Sequence, residues 1–188
     1  MFQRLLLELT ESTLVAAILF MIMSALLGRF EIHQSSMEPT FFEGQRVIVS
    51  QVGGRLPVQL ARSVHAANAT ETTLLGLERG QIVVFEQTPN EPPLIKRLIG
   101  LPDETVEIRE SIVYINGVPL DESYLHGVLT TCRTYCGPLT LGPDEYYFMG
   151  DNRTVSRDSR DFGPIPANQI VGHVVARFWP LDQVAAFP

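Results

Sequence analysis

Hydrophobic positions along most of the chain fall in short β-branched or aliphatic runs bounded by Gly, Pro or polar residues. Some runs are continuously apolar and others alternate with polar positions, as in strands buried on both faces or on one. They predict strands at Arg46–Ser50, Gln81–Phe85, Leu94–Ile99, Thr105–Arg109, Ile112–Ile115, Val118–Leu120, Tyr146–Met149 and Ile170–Phe178. We therefore predict a mainly β chain of antiparallel sheets.

One tight turn and two irregular stretches interrupt this pattern. Asn116 and Gly117 separate two of the predicted strands, and an Asn-Gly pair in that position favours a two-residue hairpin turn. Gln51–Glu78 has little periodicity and is interpreted as a long loop with at most one helical turn. Leu125–Pro143 is the second irregular stretch.

The N-terminal segment follows a different pattern. Thr13–Leu27 carries no charged residue, and extending the run to Ser12–Phe30 gives a helix of about 28 Å, enough to span a bilayer core. A cleaved signal peptide is the alternative. Acidic residues stand just upstream of the run, at Glu8 and Glu11, and no small-x-small pair follows it. We therefore expect one uncleaved N-terminal transmembrane helix.

The composition of the chain limits the classes of function that it can have. The chain has 188 residues, enough for a compact domain and an anchor. Its 14 basic and 21 acidic side chains give a net charge of −7, which disfavours binding to a phosphate backbone, so we expect no nucleic-acid partner. The 13 prolines and 14 glycines are scattered, as is typical of a turn-rich β protein.

The two cysteines, Cys132 and Cys136, have a C-x3-C spacing. No partner Cys/His pair accompanies them, as a zinc site would require, and a C-x-x-C redox motif has one residue fewer. If this segment lies outside the cytoplasm, a short disulfide is one interpretation. Two free thiols in a loop are the other.

Three segments contain polar residues that are candidates for catalysis. Ser36 lies in a segment just after the apolar run, and by itself it fits an ordinary loop serine. Lys96 lies inside an apolar predicted strand, where a buried ammonium tends to lose its proton and can serve as a base. An edge-strand lysine reaching solvent would give the same pattern. Gly150–Gly163 is dense in polar side chains and by itself fits a solvated loop.

Together the three segments are specific. S-M-x-P-T, K-R-x-I-G-x-P and G-D-N-R-x-x-S-x-D-S-R-x-F-G stand in that order behind the apolar run. They resemble the motifs of type I signal peptidases, and the likeness extends over about Ser12–Pro180. The resemblance implies a two-part antiparallel β fold. Its N-terminal segment, 1–30, would contain the anchor, 31–103 and 145–180 would form the catalytic domain, and 104–144 a smaller inserted β region.

The resemblance assigns the catalytic residues. Ser36, directly before the methionine, corresponds to the nucleophile, and Lys96 of the Lys-Arg pair corresponds to the general base. Ser156 corresponds to the serine that hydrogen-bonds and orients the lysine. The main-chain N–H of Ser36 is the expected oxyanion donor.

Supporting residues follow from the same resemblance. Asp158 and Arg160 correspond to a structural ion pair behind the site. Asp151 and Asn152 correspond to the corner formed by the G-D-N motif. No metal or organic cofactor is implied.

The chain departs from the family pattern beside the nucleophile. Gln34 stands where many members have Ser or Thr, whose hydroxyl helps to bind the oxyanion. The Gln34 amide is an alternative donor, and a hole built from backbone alone is another. Ser35 replaces the usual glycine, and Asp103-Glu104 replaces the usual Gly-Asp after Pro102.

The same residues disfavour three other functions. A Ser/His hydrolase is disfavoured because the four histidines, His33, His65, His126 and His173, match no base position of the family. LexA-like self-cleaving proteins also use Ser and Lys but lack the anchor and the G-D-N-R motif. A catalytically silent signal-peptidase-like assembly or binding factor would be expected to lose Ser36 or Lys96, and both are present.

The resemblance therefore implies a membrane-bound serine endopeptidase that removes N-terminal signal peptides. The expected partners are preproteins with signal peptides and the lipid bilayer, and we expect a monomer. The expected location is the plasma membrane, with a single pass and the catalytic domain on the extracytoplasmic side.

Overall fold

The structure is a computed structural model that describes residues 2–51, 76–88 and 91–187. Two α-helices, α1 (Phe2–Leu26) and α2 (Ser159–Phe162), accompany the strands, and short 3-10 helices lie at Ser35–Met37, Ser123–Leu125, Ala167–Gln169 and Leu181–Gln183. The strands are β1 (Leu27–Glu31), β2 (Arg46–Ser50), β3 (Ile82–Phe85), β4 (Leu94–Gly100), β5 (Thr105–Arg109), β6 (Ile112–Ile115), β7 (Val118–Pro119), β8 (Leu139–Thr140), β9 (Glu145–Met149), β10 (Ile165–Pro166), β11 (Ile170–Trp179) and β12 (Ala185–Ala186).

The predicted antiparallel β architecture is confirmed. The described strands form an eight-stranded sheet in the order β1-β2-β11-β3-β4-β9-β10, with β12 paired to β11, and a four-stranded sheet in the order β7-β6-β5-β8. Every pairing is antiparallel. In the larger sheet, β4 lies between β3 and β9, so both of its edges are hydrogen-bonded.

The N-terminal boundary differs from the expectation. The helix ends at Leu26, and Leu27–Glu31 is a strand that pairs along its whole length with Arg46–Ser50. The extension of the helical run to Phe30 is therefore wrong, because this backbone satisfies its hydrogen bonds in the sheet. No helix within the described residues is both long enough and apolar enough to cross a bilayer.

The predicted hairpin at Asn116-Gly117 is confirmed. Both residues have positive φ, 52° and 81°, as a type I′ turn requires, and Ile115 pairs with Val118 across it. The Asn116 side chain accepts a hydrogen bond from the Thr105 backbone N–H at 2.8 Å. Most of the predicted loop at 51–78 lies outside the described residues.

Three buried apolar clusters hold the sheets. The first two contain residues of the eight-stranded sheet, including Val83, Leu98 and Phe148 in one and Val47, Val84 and Val174 in the other. The third joins Ile99 of β4 and Met149 of β9 to residues of the four-stranded sheet, including Val106 and Val113. The smaller sheet is thereby packed against two strands of the larger one.

Candidate active site

Ser36 lies in the 3-10 turn Ser35–Met37, which follows β1. The turn is fixed from the other side by Asn152, whose backbone N–H donates to the Ser36 carbonyl at 3.1 Å and whose side-chain amide donates to the Ser35 carbonyl at 3.1 Å. Ser36 is 5% exposed. Its hydroxyl is therefore held nearly out of solvent by a rigid backbone.

Lys96 lies near the middle of β4 and is 1% exposed. Its Nζ lies 2.7 Å from Ser36 Oγ and donates a hydrogen bond to it, although the two residues are 60 positions apart in the chain. Nζ also donates to the Ile95 carbonyl, at 2.9 Å. The structure thus brings together the two residues that the sequence predicted as nucleophile and base.

The protonation of Lys96 is shifted by its surroundings. Burial lowers the pKa of Lys96 from its ordinary value of 10.5 to about 8, while the charges of Asp158 and Asp151 act in the opposite direction. Its hydrogen bonds go to a hydroxyl and a carbonyl, which stabilise the ammonium less than a carboxylate would. Lys96 can therefore exist as a neutral amine in mildly alkaline solution.

Asp151 forms a buried ion pair with Arg97, the neighbour of Lys96 on β4. Arg97 Nε and Nη2 donate to the two carboxylate oxygens of Asp151 at 2.8 and 2.6 Å. The Thr40 hydroxyl donates to the same carboxylate. Asp151 thus links the segment after Ser36 to the strand that carries Lys96.

Asp158 and Arg160 form the second buried pair, and both side chains are 0% exposed. Arg160 donates to the two carboxylate oxygens of Asp158 at 2.8 Å each, and the Gly150 N–H donates to Asp158 at 3.0 Å. Burial alone would raise the pKa of Asp158, but the bonds and charge of Arg160 hold it below its ordinary value. Asp158 also caps α2 through a capping box with Asp161.

Ser156 lies beside the pair, but it does not make the expected contact. Its hydroxyl is fully buried and has no hydrogen-bond partner among the described residues, so the hydrogen bond to Lys96 is not formed in this structure. The chain is tightly packed here, since a Cβ on Gly150 would lie 2.2 Å from Ser156 Oγ and 2.4 Å from the Ser36 carbonyl. A side chain at position 150 would therefore push the loop away from the nucleophile.

Gln34 is exposed and lies at the edge of a cavity of about 310 Å³. The cavity runs between the segment that leads to Ser36 and the start of β4, and its lining is mostly apolar. Phe30, Ile32, Val84 and Ile95 contribute to that lining. Its lining includes Gln34, two residues before Ser36, and Ile95, directly before Lys96, but neither Ser36 nor Lys96 itself.

Comparison with known proteins decides the family. The model of the family described as signal peptidase, peptidase S26, matches residues 6–179. The chain belongs to the signal peptidase family. Signal peptidase IB of Staphylococcus aureus is 34% identical over 194 residues, covering 95% of this chain and 92% of that protein. A probable signal peptidase I-2 of Synechocystis is 35% identical over 159 residues, covering 81% of this chain and 63% of that protein.

A solved structure is also similar to this signal peptidase. The crystal structure of a signal peptidase I from Enterococcus faecalis V583 is 37% identical and covers 52% of this chain and 95% of that chain, with a TM-score of 0.46. The family is one of serine peptidases, and this protein is a serine endopeptidase.

The histidines of this signal peptidase do not replace the lysine. His33 and His126 are exposed, and His65 lies outside the described residues. Burial lowers the pKa of His173, which lies on β11. The basic nitrogen bonded to Ser36 Oγ is that of Lys96.

The sequence did not reveal the residues that join the smaller sheet region to the active-site loop. Arg153 is fully buried, donates to the Gly150 carbonyl at 3.1 Å and pairs with the Glu122 carboxylate. Tyr124 lies under the Arg97 guanidinium, whose central carbon is 4.1 Å from the ring centroid. The available signal was the run of polar residues at 121–124, but such a run is also typical of an exposed turn.

Cys132 and Cys136 form a disulfide, which decides between the two interpretations of the C-x3-C spacing. Arg133, inside this small loop, donates to the Ser156 carbonyl at 2.7 Å and pairs with Asp161 at 2.6 Å. The disulfide loop therefore packs on the segment that contains Ser156 and the cap of α2.

The two phenylalanines after the nucleophile differ in environment. Phe41 is buried in the core and Phe42 is 48% exposed. The pair therefore consists of one core residue and one exposed apolar side chain.

Proposed function

We propose that Ser36 and Lys96 form the catalytic dyad with which this signal peptidase removes N-terminal signal peptides from exported preproteins. The observation that carries the proposal is the 2.7 Å contact between Lys96 Nζ and Ser36 Oγ in a buried setting that lowers the pKa of the lysine. A hydroxyl is a weak nucleophile at its ordinary pKa and requires an adjacent base. The neutral amine is the group in contact with it.

The chemistry then follows in two stages. Neutral Lys96 takes the proton of Ser36 as the hydroxyl oxygen attacks the scissile carbonyl carbon, and the resulting ammonium gives that proton to the departing amine of the mature protein. The carbon–nitrogen bond breaks and an acyl-enzyme on Ser36 remains. Lys96, again neutral, takes a proton from a water molecule that attacks the ester, and returns it to Ser36 Oγ as the signal peptide leaves.

The oxyanion of the tetrahedral intermediate requires hydrogen-bond donors. The Ser36 backbone N–H is one donor, and the Gln34 side-chain amide is the second candidate, because Gln34 lies beside the nucleophile on the open side of the site. Gln34→Ala is expected to lower kcat by ~10²-fold, the effect of losing one such donor. An unchanged kcat would assign the hole to backbone alone.

The remaining predicted residues act as supports in this proposal. Asp151 and Asn152 hold the turn of Ser36 against the loop, and Asp158 and Arg160 hold the loop itself. Ser156, whose buried hydroxyl does not contact Lys96 in this structure, orients Lys96 when the substrate is bound. Residues 31–103 and 145–180 form the catalytic domain, and the inserted β region, 104–144, supports it.

In this proposal the substrate binds in the apolar cavity whose lining includes Gln34 and Ile95, residues close in sequence to the dyad. An extended peptide adds as a strand along the segment before Ser36, so that alternate side chains enter the cavity. The lining supplied by Phe30, Ile32, Val84 and Ile95 suits small apolar side chains at the first and third positions before the cut. Preproteins with an Ala-x-Ala junction fit this requirement.

In this proposal the protein is attached to the plasma membrane through its N-terminal segment, with the catalytic domain on the extracytoplasmic side and the chain a monomer. Apolar side chains of α1, including Leu14, Leu19 and Phe20, are exposed around the helix, which is the expected environment for a lipid-covered element. Leu19→Lys is expected to reduce flotation of the full chain with phospholipid vesicles. Val118→Lys, at an equally exposed apolar position of the smaller sheet, is the matched control.

The test of the dyad is cleavage of a purified preprotein with an Ala-x-Ala junction by the full chain in detergent. The unaltered protein is expected to cut after the second Ala, whereas Ser36→Ala and Lys96→Ala abolish cleavage. Ser35→Ala should retain most activity, since Ser35 contributes its backbone carbonyl to the site. An active Lys96→Ala variant would refute the dyad, and no cleavage by the folded wild type would favour an assembly or binding factor.

A further inference from the structure

The 3-10 turn Ser123–Leu125 of the smaller sheet region reaches the strand of the catalytic lysine. The ring of Tyr124 lies flat against the guanidinium of Arg97, with the central carbon 4.1 Å above the ring centroid. Arg97 directly follows Lys96 on β4. A guanidinium over an aromatic face is attracted by the ring quadrupole, more strongly when the contact is shielded from water.

Arg97 is also held by Asp151. Two of its nitrogens donate to the Asp151 carboxylate at 2.8 and 2.6 Å, and a third donates to the Gly80 carbonyl at 2.7 Å. The guanidinium thus contacts an aromatic ring as well as a carboxylate. Because Asp151 also hydrogen-bonds Thr40, its position affects the segment that follows Ser36.

The turn that carries Tyr124 is itself fixed to the active-site loop. The Tyr124 hydroxyl donates to Glu122 at 2.7 Å and accepts a hydrogen bond from Arg153 at 3.2 Å. Glu122 pairs with the fully buried Arg153, whose Nε donates to the Gly150 carbonyl. One short turn therefore contacts both arginines that flank the catalytic groups.

We infer that Tyr124 is a positioning residue of the active site: its ring fixes Arg97 against Asp151 and thereby keeps the Asp151 carboxylate compensated and in place beside Lys96. The inference rests on the proposed dyad of Ser36 and Lys96. It assigns the inserted β region a part in catalysis, although that region supplies no group to the reaction itself.

The charged groups around Lys96 determine how removal of the Tyr124 ring would change the pKa of the lysine. Asp151, paired with Arg97, and Asp158, paired with Arg160, are the carboxylates whose charge favours the ammonium form of Lys96. Ser36 Oγ is the neutral partner. If Arg97 moves away, Asp151 is less compensated, and the pKa of Lys96 rises, so a smaller fraction of the lysine is neutral at a given pH.

The experiment compares substitutions that keep or remove the aromatic face. Tyr124→Leu is expected to lower kcat at neutral pH by about tenfold, the size expected for loss of a shielded cation–π contact, with KM little changed. The acidic limb of its pH profile should move to higher pH, so that alkaline pH restores much of the rate. Tyr124→Phe keeps the ring and should leave the limb in place. Tyr124→Met supplies a second non-aromatic variant, because a thioether fills irregular space and preserves folding.

Tyr114→Leu is the matched control. Tyr114 lies on β6 of the same smaller sheet and supports a similar contact, with the central carbon of Arg109 4.3 Å from its ring centroid, but this pair is not part of the site. It should lose the contact without any change in kcat or the pH profile.

Two results would overturn the inference. One is a kcat and pH profile for both Tyr124→Leu and Tyr124→Met that match those of Tyr114→Leu. The other is a fall in rate that is equal at every pH and accompanied by a lower melting temperature, which would mean general structural support. Ser36→Ala and Lys96→Ala in the same assay separate these results from failure of the dyad, since only that failure leaves either variant active.

Discussion

Two adjacent regions of this signal peptidase accommodate buried cations in different ways. At the proposed dyad, the Lys96 ammonium donates to a hydroxyl and a backbone carbonyl. Around the neighbouring loop, Arg97 of β4, Arg153 and Arg160 are each bonded to a carboxylate. All of these side chains are buried or nearly so.

The difference explains their chemistry. A buried cation is stabilised in its charged form by a carboxylate at hydrogen-bond distance, and destabilised when burial acts without one. An arginine also cannot lose its proton under ordinary conditions, whereas a lysine can. The arginines therefore provide fixed charges that hold the loop Gly150–Gly163. Lys96 instead provides an amine whose proton can move.

The strongest test of this contrast is Lys96→Arg. The substitution retains a cation at the dyad but removes the capacity to become neutral, so kcat should fall by roughly 10³-fold or more, as for a lost general base. Cleavage of an Ala-x-Ala preprotein measures the effect, and a melting curve checks that the variant is folded. Substantial activity would show that charge, rather than proton transfer, is what the site requires.

The second test removes a carboxylate from the arginine region. Asp158→Asn leaves Arg160 buried without a compensating charge, which is expected to lower the free energy of unfolding by about 3–5 kcal/mol. Denaturant unfolding measures the loss. Glu31→Gln is the matched control, because its pair with Arg46 is exposed and such pairs contribute about 0–1 kcal/mol. Equal losses in the two variants would contradict the structural importance of the buried pair.

The third test uses pH. Because burial lowers the pKa of Lys96 to about 8, the lysine is neutral above that pH and charged below it. The rate should therefore rise with pH through about 8 and then level, falling by about tenfold for each unit further below it. Steady-state cleavage across mildly acid to alkaline buffers measures this. A rate independent of pH over that range would be incompatible with a lysine base.

The smallest effect is expected at the disulfide loop. Replacing Cys132 and Cys136 together by Ser should lower stability by ~2 kcal/mol, the loop-closure contribution of a short loop. Activity should change by no more than a few-fold, because Arg133 can still reach the Ser156 carbonyl and Asp161 from a looser loop. Thermal melting and cleavage assays measure the two quantities. Loss of activity by two orders of magnitude would place this loop within the catalytic machinery.

Much of the fold could be predicted from the hydrophobic pattern of the sequence. Predicted strands such as Arg46–Ser50, Thr105–Arg109 and Ile112–Ile115 match the observed bounds, because β-branched runs between turn residues have few alternatives. Most of β1, up to Phe30, was assigned to the helical run instead, since an apolar sequence at its start suits either element. Its strand conformation depends on pairing with a segment that lies later in the chain.

Only part of the candidate site could be predicted from the sequence. The motif resemblance identified Ser36 and Lys96 as the candidate nucleophile and base. The contact between them agrees with their predicted proximity. The roles of Glu122, Tyr124 and Arg153 depend on packing between two sheets, which no local pattern in the sequence encodes. The missing bond of Ser156 is a matter of side-chain geometry that a motif does not specify.

The central location of β11 has a consequence for biogenesis. This strand lies between β2 and β3, and so connects the part of the sheet that leads to Ser36 with the part that carries Lys96. A ribosome makes the chain from its N-terminus, so both dyad residues are present long before the strand that joins their two sheet segments. A nascent chain would therefore complete the sheet that brings Ser36 and Lys96 together only after β11 has been made.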